Sequence, residues 1–186
     1  MIKSSTLPNR TVSWFGDAFD QLHPLLQKLH TDGGTLSGEI EIAYGSGIAG
    51  VIGRRLAKKM NIPSAGVHHL SVEILHKDDG LHWNRCFNHR QYVYSLFQPV
   101  EQIDNGYWIE KTGPLTMRLT VDIVEGGWHW RCLKVAFAGV PLPLWLIPEA
   151  IAYKRIVKGE YQFHVEFALP VFGSLVCYEG LLQEVA

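Results

Sequence analysis

Gly45, Gly47 and Gly50, in the stretch AYGSGIAG (43–50), stand at the G-x-G-x-x-G spacing. Between a strand and a helix, that spacing lets a backbone approach a dinucleotide pyrophosphate at a helix N-terminus. Glu39 to Tyr44 reads as the strand and Ile48 to Met60 as the helix. The chemistry also needs a parallel second strand and an acidic residue about 20 positions on for the ribose. Here Glu39-Ile40-Glu41-Ile42 alternates charged and apolar residues, whereas a parallel strand covered on both faces is apolar throughout. After the glycines no carboxylate comes until Glu73. The glycines therefore read as a tight strand-to-helix turn. The free N–H groups at the helix start keep some capacity to hold an anion, and no cofactor is expected.

Arg85 shares an alternation face with Leu81, Trp83 and Phe87. If that face is inward, a guanidinium enters an apolar interior, where it needs a partner. It would suit a carboxylate or phosphate, either on a ligand or as an ion pair with Glu149, Glu166 or Glu179. Trp83 and Arg85, with Tyr153 and Tyr178 as hydroxyl carriers, are the candidate ligand-binding residues. Lys134, on the face of Trp128, Trp130 and Cys132, is expected to reach the surface along a buried aliphatic stem.

The nine histidines include no H-x-x-x-H pair on a helix, and none pairs with a cysteine at ligand spacing. Cys86, Cys132 and Cys177 are odd in number and form no C-x-x-C pair, so neither a disulfide framework nor a metal site is expected. There is no G-x-S-x-G, and Gly45-Ser46-Gly47 lacks the frame of a nucleophile elbow. No catalytic residue is assigned.

A formal net charge of −1 gives no field for nucleic acid or an anionic membrane. The first residues carry no long apolar core, so no signal peptide is expected and the chain reads as cytoplasmic. Val135 to Pro148 is uncharged but shorter than the roughly 20 residues that span a bilayer, and Pro141, Pro143 and Pro148 interrupt it. No transmembrane segment is expected. The stretch fits a buried loop or the apolar lip of a pocket.

The elements that must position these residues follow from periodicity. Phe19, Leu22, Leu25, Leu26 and Leu29 form a helical stripe in Phe15 to His30, with Pro24 marking a start or kink. Ile48, Val51, Ile52, Leu56 and Met60 form a second. From His68 onward the period is two, punctuated by Asp78-Asp79-Gly80, Asp104-Asn105-Gly106, Glu125-Gly126-Gly127 and Lys158-Gly159. About nine short strands follow, and turns that short join antiparallel neighbours. The fold class is α+β, mainly antiparallel β: a strongly curved sheet or up-and-down barrel-like meander with two N-terminal helices packed on it. One domain, 1–186, is expected, with 1–14 extended or poorly ordered.

Several local signatures, in order, resemble the domain of unknown function 4166 family of bacterial proteins. They are FDQLHPLLQKLH (19–30), GEIEIAYGSG (38–47), RRLAKKMNIP (54–63), HWNRCF (82–87), GPLTMRLTVDI (113–123) and GVPLPLWLIPEAIAYKRIVKGEYQFHVEFALPVFGSLVCYEGLL (139–182). The resemblance brings no activity with it. It implies a domain that occurs alone, or attached to saccharopine-dehydrogenase-like Rossmann domains or to membrane segments. The aromatic residues on alternating strand faces, with Arg85 among them, lead to an expected binder of an apolar or lipid-like small molecule bearing an acidic group, held in a β-sheet pocket. The alternatives are an enzyme of unknown reaction in the same pocket, or a protein-interaction domain using a sheet edge or the Pro141–Pro148 loop. A homo-oligomeric copy or a Rossmann-type oxidoreductase would be the protein partner.

Overall fold

The two-residue alternation closes on itself. In the computed structural model, which describes residues 9–144 and 149–185, eleven strands form one antiparallel sheet. They are β1 (Gly34–Tyr44), β2 (Gly66–Lys77), β3 (Gly80–Phe87), β4 (Gln91–Val100), β5 (Tyr107–Thr112), β6 (Leu115–Val124), β7 (Gly127–Phe137), β8 (Val140–Leu142), β9 (Glu149–Val157), β10 (Glu160–Leu169) and β11 (Gly173–Glu184). The order β6-β5-β4-β3-β2-β1-β11-β10-β9-β7 is closed by pairing of β6 with β7, giving a ten-stranded barrel with β8 added along β7. Each of the ten strands has a partner on both sides, with β7 and β9 meeting over Trp128–Trp130, which shortens the edges open to edge-to-edge aggregation.

The inward face carries Leu70, Val72 and Ile74 from β2, and Trp83 and Phe87 from β3. Val93 and Phe97 of β4 continue it, as do Met117, Leu119 and Val121 of β6. Phe163, Val165 and Phe167 of β10 complete the ring. Each large side chain removed from water contributes on the order of 1.5–3 kcal/mol.

The N-terminal segment plugs one end. The helix expected over Phe15 to His30, with Pro24 as a start or kink, begins at Pro24 as α2 (Pro24–Asp32); α1 (Arg10–Phe15) and a 3-10 turn (Gly16–Gln21) precede it. Asn9 caps α1 by accepting from the Thr11 and Val12 N–H groups, and Gly16, at φ 53°, ends it. His23 Nδ1 accepts from Leu25 N–H, and Pro24 takes the first helical position, where no N–H is needed. The break lets Trp14, Phe15, Phe19, Leu22, Leu26 and Leu29 all reach the barrel core. Residues 10–14 are thus helical, with Trp14 1% exposed; residues 1–8 lie outside the described chain.

α3 (Gly47–Lys59) packs on β11, and here the glycine spacing finds its use. A Cβ at Gly45 would collide with the Ser174 carbonyl oxygen, and one at Gly53 with that of Leu175. Gly45 N–H donates to Leu175 O (3.1 Å), and Ala49, Gly50, Gly53 and Ala57 form the buried side of α3. The next strand, β2, runs antiparallel to β1, so no βαβ unit exists here. The glycines bring helix and strand backbones together.

Candidate functional site

The barrel end opposite the α1–α2 plug holds an apolar chamber of about 390 Å³. Its walls include Leu56 and Met60 of α3, Tyr92 of β4, Leu115 of β6, and Phe137 and Leu142. Val135, Phe137 and Leu142 place the first part of the uncharged stretch at this mouth, as the apolar lip. Residues 145–148 of that stretch, part of the Pro141–Pro148 loop offered above for protein interaction, lie outside the described chain.

A second, smaller space of about 70 Å³ lies deeper, bordered by Trp83, Arg85, Glu110, Lys154, Phe163 and Tyr178. Met60, Thr112, Met117, Cys132, Ala150 and Phe167 border both spaces. They form a neck between the outer chamber and an inner one that is mostly apolar but carries Arg85, Glu110 and Lys154. Ala150 and Ala152, the smallest inward side chains of β9, make room there. They face Phe167 and Val165 across the β9–β10 ladder.

Adjacent strands supply the polar network, whose residues meet by register. Trp83 pairs with Ser95, and Arg85 with Val93, which brings Arg85 beside Ser95 on the inner face. Arg85 Nη1 donates to the Tyr178 hydroxyl (3.2 Å), and Nη2 donates to Ser95 Oγ. Ser95 Oγ and Thr112 Oγ1 donate to Glu110 Oε1 at 3.1 and 2.8 Å. Burial pushes the Glu110 carboxyl up, against the Arg85 charge and the two hydroxyl bonds, which favour its anion. Burial also raises the Tyr178 phenol, with Arg85 opposing. Arg85 Nε has no hydrogen-bond partner among the described residues.

Lys154 is the more telling group. It is 5% exposed, and its Nζ has no hydrogen-bond partner among the described residues. Nζ lies 3.7 Å from the centre of the Trp128 ring and 4.1 Å from that of Trp83. Burial drives its pKa well below the ordinary lysine value. The two indole faces work against that, since each attracts a cation. His30 of α2 closes the same region, its ring 4.6 Å from Trp128 and 5.9 Å from Trp83. Burial first, then the nearby Lys154 charge, holds His30 well below the usual imidazole range, so it is neutral at pH 7. The inner chamber thus carries Arg85 and Glu110 joined through the Ser95 hydroxyl, and one amine with no hydrogen-bond partner among the described residues.

Of the residues singled out by sequence, Trp83, Arg85 and Tyr178 meet in this chamber. The ion-pair partners foreseen for Arg85 were Glu149, Glu166 and Glu179; the carboxylate in its network is Glu110. Tyr153 stands on a strand that borders the chamber, but its ring is stacked between His129 (5.1 Å) and His164 (4.7 Å) on the outer face. The inward residue is its neighbour Lys154. Lys134 is exposed, and the cause is a bulge: the β6–β7 register shifts after Arg118, so Cys132 opposes Leu119 while Lys134 opposes Arg118. Lys154, Glu110, Ser95 and His30 were not found from sequence. A charge at the phase of Ala150 and Ala152 was the available signal for Lys154.

Among the described residues, no helix is long and apolar enough to cross a membrane. The model of one family, described as Domain of unknown function (DUF4166), matches residues 22–182. That span covers α2, β1 to β10 and β11 as far as residue 182, so it includes nearly the whole barrel. No curated protein matches the chain.

Proposed function

The chain belongs to the domain of unknown function 4166 family, and from that premise we propose that it binds an apolar or lipid-like small molecule bearing an acidic group. The apolar body would fill the mouth chamber, and the acid would pass the neck to Lys154, Arg85 and Tyr178. The observation that carries this reading is Lys154 Nζ, with Arg85 Nε, each without a hydrogen-bond partner among the described residues, on an inner space continuous with the apolar mouth. A buried amine without a partner is costly. An anion beside it would restore its proton and give both nitrogens an acceptor. The mouth volume falls within the roughly 300–1,000 Å³ usual for small-molecule pockets.

Native mass spectrometry of gently purified protein, with organic extraction of what it carries, tests the proposal. A co-purifying apolar acid, or a one-to-one adduct with added long-chain carboxylates, is the expected result. A ligand-free mass that no carboxylate changes would refute it.

One observation favours a second reading, catalysis in the same chamber. Burial lowers the Lys154 pKa, and that is how an amine becomes a base or a nucleophile near neutral pH. Borohydride trapping of an apolar aldehyde on Lys154 would support it; an unmodified Lys154 peptide would count against it.

A further inference from the structure

The outer face of β10 and β11 carries a second cluster, separated from the chamber by the sheet itself. His164 is registered opposite Glu179, and Glu166 opposite Cys177, so four chemistry-bearing residues form two adjacent cross-strand pairs. His164 Nδ1 is 2.8 Å from Glu179 Oε2 and 4.0 Å from Cys177 Sγ. One ligand atom from each of the three lies within 4.8 Å of the others. This is more than a solvated acidic patch, because the His164 side chain is only 13% exposed and Cys177 is half-buried.

We propose that His164 Nδ1, Cys177 Sγ and one Glu179 oxygen bind a zinc-class divalent ion, with the fourth position open to solvent. A nitrogen–sulfur–oxygen set suits a borderline-soft metal such as zinc and disfavours magnesium and calcium, which take oxygen ligands. Tetrahedral zinc with bonds of about 2.0–2.3 Å sets its ligand atoms roughly 3.3–3.6 Å apart. The histidine–glutamate contact must open from 2.8 Å and the cysteine–histidine contact close from 4.0 Å. Both are movements of side-chain torsions below about 1 Å, and the cysteine–glutamate separation, within 4.8 Å, closes by up to roughly 1.2 Å.

The surroundings match what such sites need. The Tyr153 ring lies 4.7 Å from that of His164 at an interplanar angle of 9°, which fixes the imidazole plane. The other ring nitrogen, Nε2, lies 3.8 Å from Glu166 Oε2, too far for a hydrogen bond as it stands but closable by side-chain rotation. A metal-bound histidine characteristically donates its second N–H to a carboxylate, which sets its tautomer and strengthens it as a ligand. Glu41 lies beside Glu179 across the β1–β11 ladder and adds negative charge. No motif shows this arrangement in the sequence, because the ligands come from two strands and meet only through register.

Cobalt titration of the untagged full chain tests the site. The expected result is one ion per chain, with thiolate-to-cobalt charge-transfer and tetrahedral visible bands, displaced by zinc but not by a large excess of magnesium or calcium. Cys177→Ser abolishes the charge-transfer band. Glu179→Gln, at a half-exposed position that the fold tolerates, weakens binding at least about tenfold. Glu166→Gln weakens it roughly 10–100-fold without changing the spectrum, as loss of a carboxylate behind a ligand does. Circular dichroism verifies that each variant is folded. Absence of cobalt binding, or a thiolate band that persists in folded Cys177→Ser or Glu179→Gln at unchanged affinity, overturns the proposal.

Discussion

Replacing Lys154 by methionine should stabilise the ligand-free protein, by more as pH falls from the ordinary lysine range. Methionine keeps an unbranched stem against Trp83 and Trp128 and removes the amine whose Nζ lacks a partner. Taking a poorly compensated charge out of a protein interior gains on the order of 1–4 kcal/mol, and the lost cation–π attraction returns up to about 2 of that. The net expectation is about 1–2 kcal/mol in favour of Lys154→Met. The pH dependence is the sharper part. The folded-state pKa of Lys154 is depressed, so between that value and the unfolded value of about 10.4 the unfolded chain holds the extra proton. Stability of the natural sequence therefore rises with pH through that window, with a slope of at most about 1.4 kcal/mol per pH unit for one proton. Below the folded value both states are charged and the slope vanishes. Urea unfolding followed by tryptophan fluorescence, from about pH 6 to about pH 10, reads this directly when the two proteins are subtracted. Parallel curves, with Lys154→Met the less stable by about 2 kcal/mol or more, would refute the reasoning. The amine would then be a favourably caged cation at every pH.

Arg85→Met should destabilise by about 3–5 kcal/mol, because it strands the Glu110 carboxylate in the interior; adding Glu110→Gln should recover much of that in the same urea assay. Gly53→Val places side-chain atoms against the Leu175 carbonyl and should cost about 1–3 kcal/mol, read as a lower melting temperature. Tyr153→Ala should leave ligand affinity unchanged, since the ring stacks outside the barrel. Carboxylate binding should take up a proton on Lys154 at pH values between its depressed value in the free protein and its raised value in the complex. Calorimetry in buffers of different ionisation enthalpy measures that uptake.

Much of the fold was legible because a half-buried strand writes its two faces into alternate residues. Tyr161, Phe163, Val165 and Phe167 against Gln162, His164 and Glu166 gave the phase of β10, and Leu81, Trp83, Arg85 and Phe87 gave that of β3. Closure was not legible. It depends on β7 pairing with both β6 and β9, and short-range patterns do not encode which distant strands meet. The phase of β9 misled for a physical reason: Ile151 and Tyr153 are more apolar than Ala152 and Lys154, yet the latter pair face inward. A one-residue change of phase exchanges the faces completely, so the amine was hidden behind the tyrosine beside it. The same limit hid Glu110, whose link to Arg85 runs through the hydroxyl of Ser95 on the intervening strand.

The central claim, an acid-accepting chamber behind an apolar mouth, is tested most directly by titrating a long-chain carboxylate and its matched primary alcohol into the protein. Quenching of the Trp83, Trp128 and Trp130 cluster reports binding. The account predicts that the carboxylate binds at least about tenfold more tightly, a difference of roughly 1.4 kcal/mol, and that Lys154→Met erases most of this preference. Equal affinity for acid and alcohol, or a preference unchanged in Lys154→Met, would contradict it.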